Sequence, residues 1–160
     1  LRQKNSPNMI VRLGETAALA SSGKDALPLL LIATRDVDAA VRYWGVIGIG
    51  NIAPKKSVNA LLVTRKLLRD SSLSVRVAAS RALSRMGKPQ ESFPVLKNAL
   101  TGPDQWARLQ AAIVLDEMEE QARPLISELK KALINQPNKY IVRVANRALN
   151  DLLNTDKQVR

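Results

Sequence analysis

The chain has no cysteine and no histidine. Without cysteine there is no disulfide and no thiolate site, and nothing marks the redox compartment. Without histidine it lacks the commonest general base and the commonest metal ligand together. Aromatic residues make up only 3% of its 160 residues. Alanine and leucine fill the apolar positions instead, which suits close helix–helix packing better than a sheet. No apolar run approaches the roughly 20 residues of a membrane span, and no signal peptide is visible. Phosphate loops, metal-ligand clusters and a nucleophile beside a base are likewise missing, so neither a cofactor nor catalysis is expected of these residues. Because it opens on Leu1 rather than Met, the chain reads as part of something longer or as a processed product.

What is present is a repeat. Hydrophobic residues reach 46%, ample for a continuous core. The stretch 70–87 reads as one helix, with Val75, Ala79, Leu83 and Met86 on a single stripe. Asp70 and the serines after it offer capping oxygens, and Gly87 suits a left-handed exit. A Val-Arg or Ala-Arg pair then recurs at Arg12, Arg42, Arg76, Arg108 and Arg143, at spacings of 30, 34, 32 and 35 residues. Periods of that size mark stacked helical units. Second-type helices are expected at 39–52, 106–118 and 140–153 besides 70–87, and a first one from Ser6-Pro7 toward Gly23. Prolines at 28 and 124 open first-type helices at 24–34 and 122–134. Others are marked by Leu61, Leu62, Leu67 and Leu68, and by Phe93 to Leu100, while Pro54 stops the helix before it. The expected architecture is an all-α, right-handed α-solenoid of antiparallel helix pairs, about four and a half repeats long. It occupies residues 6–153, between a polar stub (1–5) and a polar tail (154–160) that frays. The leading helix has no partner before it, which leaves an apolar flank in want of a cover. In the last unit the residue seven after the arginine is Asn150 rather than a leucine, as suits a polar end.

Three sets of residues are candidates for function. The first is an Asp/Arg ladder of Asp36, Asp38, Arg42, Asp70, Arg76, Asp104, Arg108 and Arg143. A feature that recurs once per unit is expected to be structural, with capping carboxylates bonded to guanidinium groups of the same or next unit. The second is the helix 39–52, apolar nearly all the way round. At positions where the helix within 70–87 puts Ser80, Arg81, Ser84 and Arg85 outward, it carries Val46, Ile47, Gly50 and Asn51, with Tyr43 alongside. Together with Ala17 of the first unit, Tyr43, Val46, Ile47 and Gly50 form a candidate docking face; the plain alternative is an innocent apolar patch, or a crystal or dimer contact.

The third set is basic. Lys plus Arg exceed Asp plus Glu by 25 to 14, a formal charge of +11. That favours anionic partners (nucleic acid, an acidic or sulfated polysaccharide, an anionic membrane surface or an acidic protein face), with a basic surface that has no dedicated ligand as the equal alternative. The candidate patch is Arg81, Arg85, Arg147, Lys55 and Lys56, with Arg65, Lys66 and Arg69 nearby in sequence. Nucleic acid is a weaker match, because Tyr43, Trp44, Phe93, Trp106 and Tyr140 are too few to interleave, and both tryptophans sit close to core positions. The acidic knot at Asp116, Glu117, Glu119 and Glu120 reads as a solvated helix end.

With paired helices, an Asp before Val-Arg, then alanines and a leucine, the chain resembles the HEAT family over residues 6–153. The segments Asp38-Ala39-Ala40-Val41-Arg42-Tyr43-Trp44 and Trp106-Ala107-Arg108-Leu109-Gln110-Ala111-Ala112, with residues 138–150, also resemble the HEAT-like tail of certain bacterial sulfatases. That narrower resemblance implies the C-terminal accessory part of a secreted or periplasmic sulfate-ester hydrolase. The catalytic domain is then the partner of the docking face. No functional residue carries over: the Cys/Ser-x-Pro-x-Arg nucleophile motif, the calcium-binding carboxylates and the catalytic histidines have no counterpart here. A free-standing protein–protein adaptor is the alternative, and a basic nucleic-acid-binding array the third.

Overall fold

The computed structural model describes residues 7–52, 57–134 and 136–156. The stub 1–5, Ser6, Pro54, Lys55, Lys56 and the last four residues of the tail lie outside them. Nine α-helices and no strand occur among the described residues. They are α1 (Pro7–Leu19), α2 (Leu27–Ala33), α3 (Ala39–Ile52), α4 (Val58–Leu67), α5 (Leu73–Arg85), α6 (Phe93–Thr101), α7 (Gln105–Glu117), α8 (Ile126–Ala132) and α9 (Lys139–Leu153).

The odd-numbered helices form one layer, in which α1 packs on α3, α3 on α5, α5 on α7 and α7 on α9. Each even-numbered helix packs against the odd-numbered helix that follows it. Every pair therefore buries its apolar side on the next pair, and the core is a string of clusters along the stack rather than one centre.

Caps set the register. Asp104 accepts from the backbone N–H of Trp106 (2.9 Å) and Ala107 (3.1 Å), and Asn138 accepts from Tyr140 (3.0 Å) and Ile141 (3.5 Å). Asp38 accepts from Ala40 at 2.8 Å, and Ser72 takes the same place before α5. Counted from these four residues, positions three, seven, ten and eleven onward are buried in every unit. Position three holds Val41, Val75, Ala107 and Ile141, and position seven holds Gly45, Ala79, Ala111 and Ala145. At position ten stand Gly48, Ala82, Val114 and Ala148, and at position eleven Ile49, Leu83, Leu115 and Leu149.

This register corrects two expectations. The residue four after the cap is Arg42, Arg76 and Arg108, but in the last unit it is Val142; Arg143 is shifted by one and exposed. The leucine eleven after the cap is accordingly Leu149, 6% exposed, and not Asn150.

Helix ends follow local chemistry. Gly87 (φ 79°) turns the chain out of α5, and the N–H of Lys88 closes on the carbonyl of Leu83 at 2.8 Å. The helix expected over 122–134 is instead a 3₁₀ segment (Glu119–Leu125) followed by α8. Pro124 has no N–H to give an α-turn, so the regular helix starts two residues beyond it. The tail does not fray at once: Thr155 bonds back to Asn150 through both its N–H and its hydroxyl.

A groove across the second-type helices

Two adjoining depressions, about 260 and 410 Å³, run across α3, α5 and α7. They share Tyr43, Trp44 and Gln110. The smaller adds Ile47, Arg81, Ile113 and Glu117, and the larger adds Trp106. The Tyr43 and Trp44 rings meet edge to face at 5.8 Å. Burial pushes the Tyr43 phenol up, so it stays a neutral hydroxyl at the groove wall. Gln110 Oε1 is buried there without a hydrogen-bond partner. Trp106 is 62% exposed although it lies two residues beyond the cap of a packed helix. The sequence pattern placed Trp106 near the core; it instead lines the larger depression with Tyr43 and Trp44 of α3 and Ser74 of α5.

The expected docking face is not a single surface. Val46 is fully buried in the α3–α5 interface, and Gly50 lies against Ala82. Both owe their apolar character to the neighbouring helix rather than to a partner. Tyr43 and Ile47 do reach the groove, while Ala17 sits half-buried on α1. Ser80 and Ser84, expected to point outward, are buried as well. Their hydroxyls donate back to the carbonyls of Arg76 and Arg81 at 3.0 Å each.

The basic patch is largely occupied. Arg81 donates to Glu117 (2.6 Å) and to Asn51 (3.0 Å), and Arg85 donates to the Gly50 carbonyl (2.9 Å). Arg147 is paired with Asp116 through both carboxylate oxygens. Lys55 and Lys56 lie outside the described residues. Two members of the acidic knot are thus consumed in ion pairs that tie α5 to α7 and α7 to α9. Arg65, Lys66 and Arg69 surround a separate depression at the end of α4, where Glu91 pairs with Arg65 at 2.7 Å.

The Asp/Arg set has a definite geometry. Arg12 grips Asp36 (2.8 and 3.3 Å), and Arg42 grips Asp70 (2.8 and 2.8 Å), each reaching into the next unit. Asp36 and Asp70 stand two residues before a cap and also accept the N–H of Asp38 and Ser72, both at 2.8 Å. For both carboxyls burial works upward, and the guanidinium and N–H bonds outweigh it, leaving them below the ordinary range. In the next unit the same place holds Gly102, which has no side chain to offer. Arg76 keeps only its bonds to the carbonyls of Asp70 and Ser71, which match those of Arg42 to Asp36 and Val37, and Arg108 bonds those of Gly102 and Thr101. Asp38 and Asp104 act as caps alone, and Arg143 joins no rung. In the last unit Gln136 keeps the N–H bond, to Asn138 at 3.0 Å, without the charge.

These features define the class: an α-solenoid of antiparallel helix pairs, whose second-type layer carries an aromatic groove. Residues 26–116 match the family of HEAT repeats, and the chain belongs to that family. Repeats of this family are typically non-catalytic scaffolds that mediate protein interactions. No curated protein matches the chain. Among solved structures it is similar to an engineered protein determined by the Northeast Structural Genomics Consortium. That likeness has a TM-score of 0.61 at 20% identity, over 96% of this chain and 77% of the other. At that identity it shows the fold alone, and none of these likenesses involves a sulfatase. No described helix is long and apolar enough to cross a membrane, and no group of three or more potential metal ligands occurs among the described residues.

Proposed function

We propose that the chain is a non-catalytic HEAT scaffold that holds a protein partner in the α3–α5–α7 groove. The observation that carries this is the convergence of Tyr43, Trp44 and Trp106, three of the chain's five aromatic residues, on one concave strip. Aromatic and arginine side chains around a depression are the composition of interface hot spots. The strip offers an apolar floor and a paired Arg81–Glu117 wall, which suits a peptide segment with an apolar anchor side chain. The chain's only two tryptophans line the strip, so an occupant shifts their emission without any label.

The test is selection of binding peptides by display on the folded chain, followed by titration against the wild type and Trp106→Ala. Truncating Trp106 is expected to weaken binding at least about tenfold, or roughly 1.4 kcal/mol. Selected peptides that bind the variant equally well refute the groove. A sulfatase catalytic domain, with a secreted or periplasmic location, is a narrower proposal for the partner; it rests on the sequence resemblance alone.

A second reading has its own observation, the trio Arg65, Lys66 and Arg69 around one depression. If a sulfated polyanion binds there, the chain elutes from heparin at lower salt once Lys66 and Arg69 are replaced by Ala, and Arg81→Ala has no such effect. Equal shifts from both sets mean that the polyanion site is not confined to the depression at the end of α4.

A further inference from the structure

The geometry of the Asp/Arg ladder points to a carboxylate-binding site at its third place, between Arg76 and Arg108, for a carboxylate that this chain does not itself supply. The site does not rest on the occupant proposed for the aromatic groove.

Two filled copies of the site, earlier in the same stack, show what it takes. In each, the guanidinium of one unit and a backbone N–H of the next hold one carboxylate. Arg12 and the Asp38 N–H hold Asp36, and Arg42 and the Ser72 N–H hold Asp70. A second arginine stands by each carboxyl and helps keep it below its ordinary range, Arg42 for Asp36 and Arg76 for Asp70.

The third place keeps every part of this receptor except the anion. Arg76 seats its Nη1 on the carbonyls of Asp70 and Ser71 at 2.6 and 3.3 Å, as Arg42 does on those of Asp36 and Val37 at 3.0 Å each. In Arg42 that seat aims Nε and Nη2 at the carboxylate of the next unit, both at 2.8 Å. In Arg76 the same two groups have no acceptor among the described residues, and neither has the Asp104 N–H. Arg108 takes the second arginine's part, bonding the Gly102 carbonyl through Nε at 3.1 Å. Gly102 stands where Asp36 and Asp70 stand in their units. A side-chain carbon there would lie 2.9 Å from the Asn98 carbonyl oxygen, so no acidic side chain fits at 102 without a shift of the backbone.

No other residue of the chain stands in. All 14 acidic residues of the sequence are among the described ones, and none forms an ion pair with Arg76 or Arg108. Asp104 gives its carboxylate to the N–H groups of Trp106 and Ala107. It does not bar a second carboxylate, because Asp38 caps α3 in the same way beside Asp36. The first place thus sets two carboxylates against Arg12 and Arg42, whereas the third sets Asp104 alone against Arg76 and Arg108. A planar fork with Nε and Nη2 side by side takes a carboxylate through two parallel bonds, and the N–H alongside adds a third. The ligand is therefore a carboxylate slim enough to enter over a glycine, carried by an Asp or Glu of a partner or by a free organic acid.

Acetate and a short peptide with blocked termini and a single Asp are the two probes. Each is titrated into the isotope-labelled whole chain at constant ionic strength made up with sodium chloride. NMR follows the Asp104 backbone N–H and the Nε–H signals of Arg76 and Arg42. Saturable shifts are expected at Asp104 and Arg76, and none at Arg42, whose fork is filled. Arg76→Gln is expected to weaken the response at Asp104 about tenfold or more. Tighter binding of the peptide assigns the site to an acidic protein segment, and acetate binding as tightly or tighter assigns it to a free acid. Asp70→Gly is the positive control, since it should make Arg42 and the Ser72 N–H respond to acetate as well. The proposal is overturned if Asp104 and Arg76 show no saturable shift, if Arg42 shifts equally in the wild type, or if the Asp104 response survives Arg76→Gln. Where either variant fails to fold, the wild-type titration, with Arg42 as internal reference, decides alone.

Discussion

Replacing Gly50 by alanine in α3 tests whether the close approach of α3 and α5 is real. The change from glycine to alanine is worth up to about 1 kcal/mol through backbone entropy alone, and no more than that at Gly50, in the last turn of α3. Against this stands a steric cost. The added carbon would lie 2.9 Å from both the Cα and the Cβ of Ala82, well inside an ordinary contact of about 3.5–4 Å. The obstacle is backbone, not the tip of a flexible chain, so α5 must move bodily against the units behind it. Overpacking of this kind costs roughly 1–3 kcal/mol. The balance predicts that Gly50→Ala is destabilised by about 1 kcal/mol, with an upper end near 2.

Gly14→Ala in α1 is the control, because nothing lies within 4 Å of its added carbon. There the helix term acts alone, and stabilisation of about 0.5–1 kcal/mol is expected. Urea unfolding followed by far-UV circular dichroism gives both values side by side. In a linear stack, weakening one interface also lowers cooperativity between the units on either side. The Gly50 variant is thus expected to show a broadened transition as well as a lower midpoint. Equal stabilisation by both substitutions would falsify the packing described for α3 and α5.

Two further predictions concern charge. Asp70→Asn leaves the nearly buried Arg42 without its counter-ion while keeping an oxygen for the Ser72 N–H, so a loss on the order of 2–3 kcal/mol is expected. Asp36→Asn should cost clearly less, because Arg12 is 34% exposed against 13% for Arg42; equal losses in denaturant titrations would contradict burial as the controlling factor. Glu128, held by the Ser127 hydroxyl and by Lys97 at 3.0 Å, has its carboxyl lowered to about 2. A folded-state value below the unfolded one means stability that is present above about pH 4.5 and lost as pH falls toward 2. Lys97 is mostly solvent-exposed, which discounts the contribution to about 1–2 kcal/mol. Glu128→Gln should therefore lose less stability than the wild type between pH 5 and pH 2; parallel curves would show that the pair contributes nothing.

The helix pairs were legible because burial on the next unit demands an apolar stripe at helical spacing, and Val75, Ala79, Leu83 and Met86 show one. Exposure was not legible from polarity. Ser80 and Ser84 satisfy their hydroxyls on their own helix and so are buried without a partner elsewhere. Trp106 is apolar and mostly exposed because it lines an open depression with Tyr43, Trp44 and Ser74 instead of packing into the core. The register of the last unit was misread because Val142-Arg143 copies the repeating dipeptide, whereas the physical landmark is Asn138, which fixes the helix start four residues before Val142. Cap chemistry is short-range and visible in sequence, and it is a better ruler than a dipeptide.

The same ruler explains why the ladder stops. A rung needs a carboxylate two residues before the cap, where a single Asp can take both an N–H of its own unit and the guanidinium of the unit before. Asp36 and Asp70 satisfy that, Gly102 cannot, and Gln136 satisfies only the first half. Two of the arginines that suggested a polyanion surface, Arg81 and Arg147, are likewise paired, with Glu117 and Asp116, while Arg85 keeps its charge and only bonds the Gly50 carbonyl. Pairing cancels charges one for one, so the net +11 survives it; what pairing changes is where on the surface the excess sits. On the layer of odd-numbered helices the paired arginines leave the aromatic strip of Tyr43, Trp44 and Trp106 as the distinctive feature, while unpaired charge such as Lys66 and Arg69 lies elsewhere.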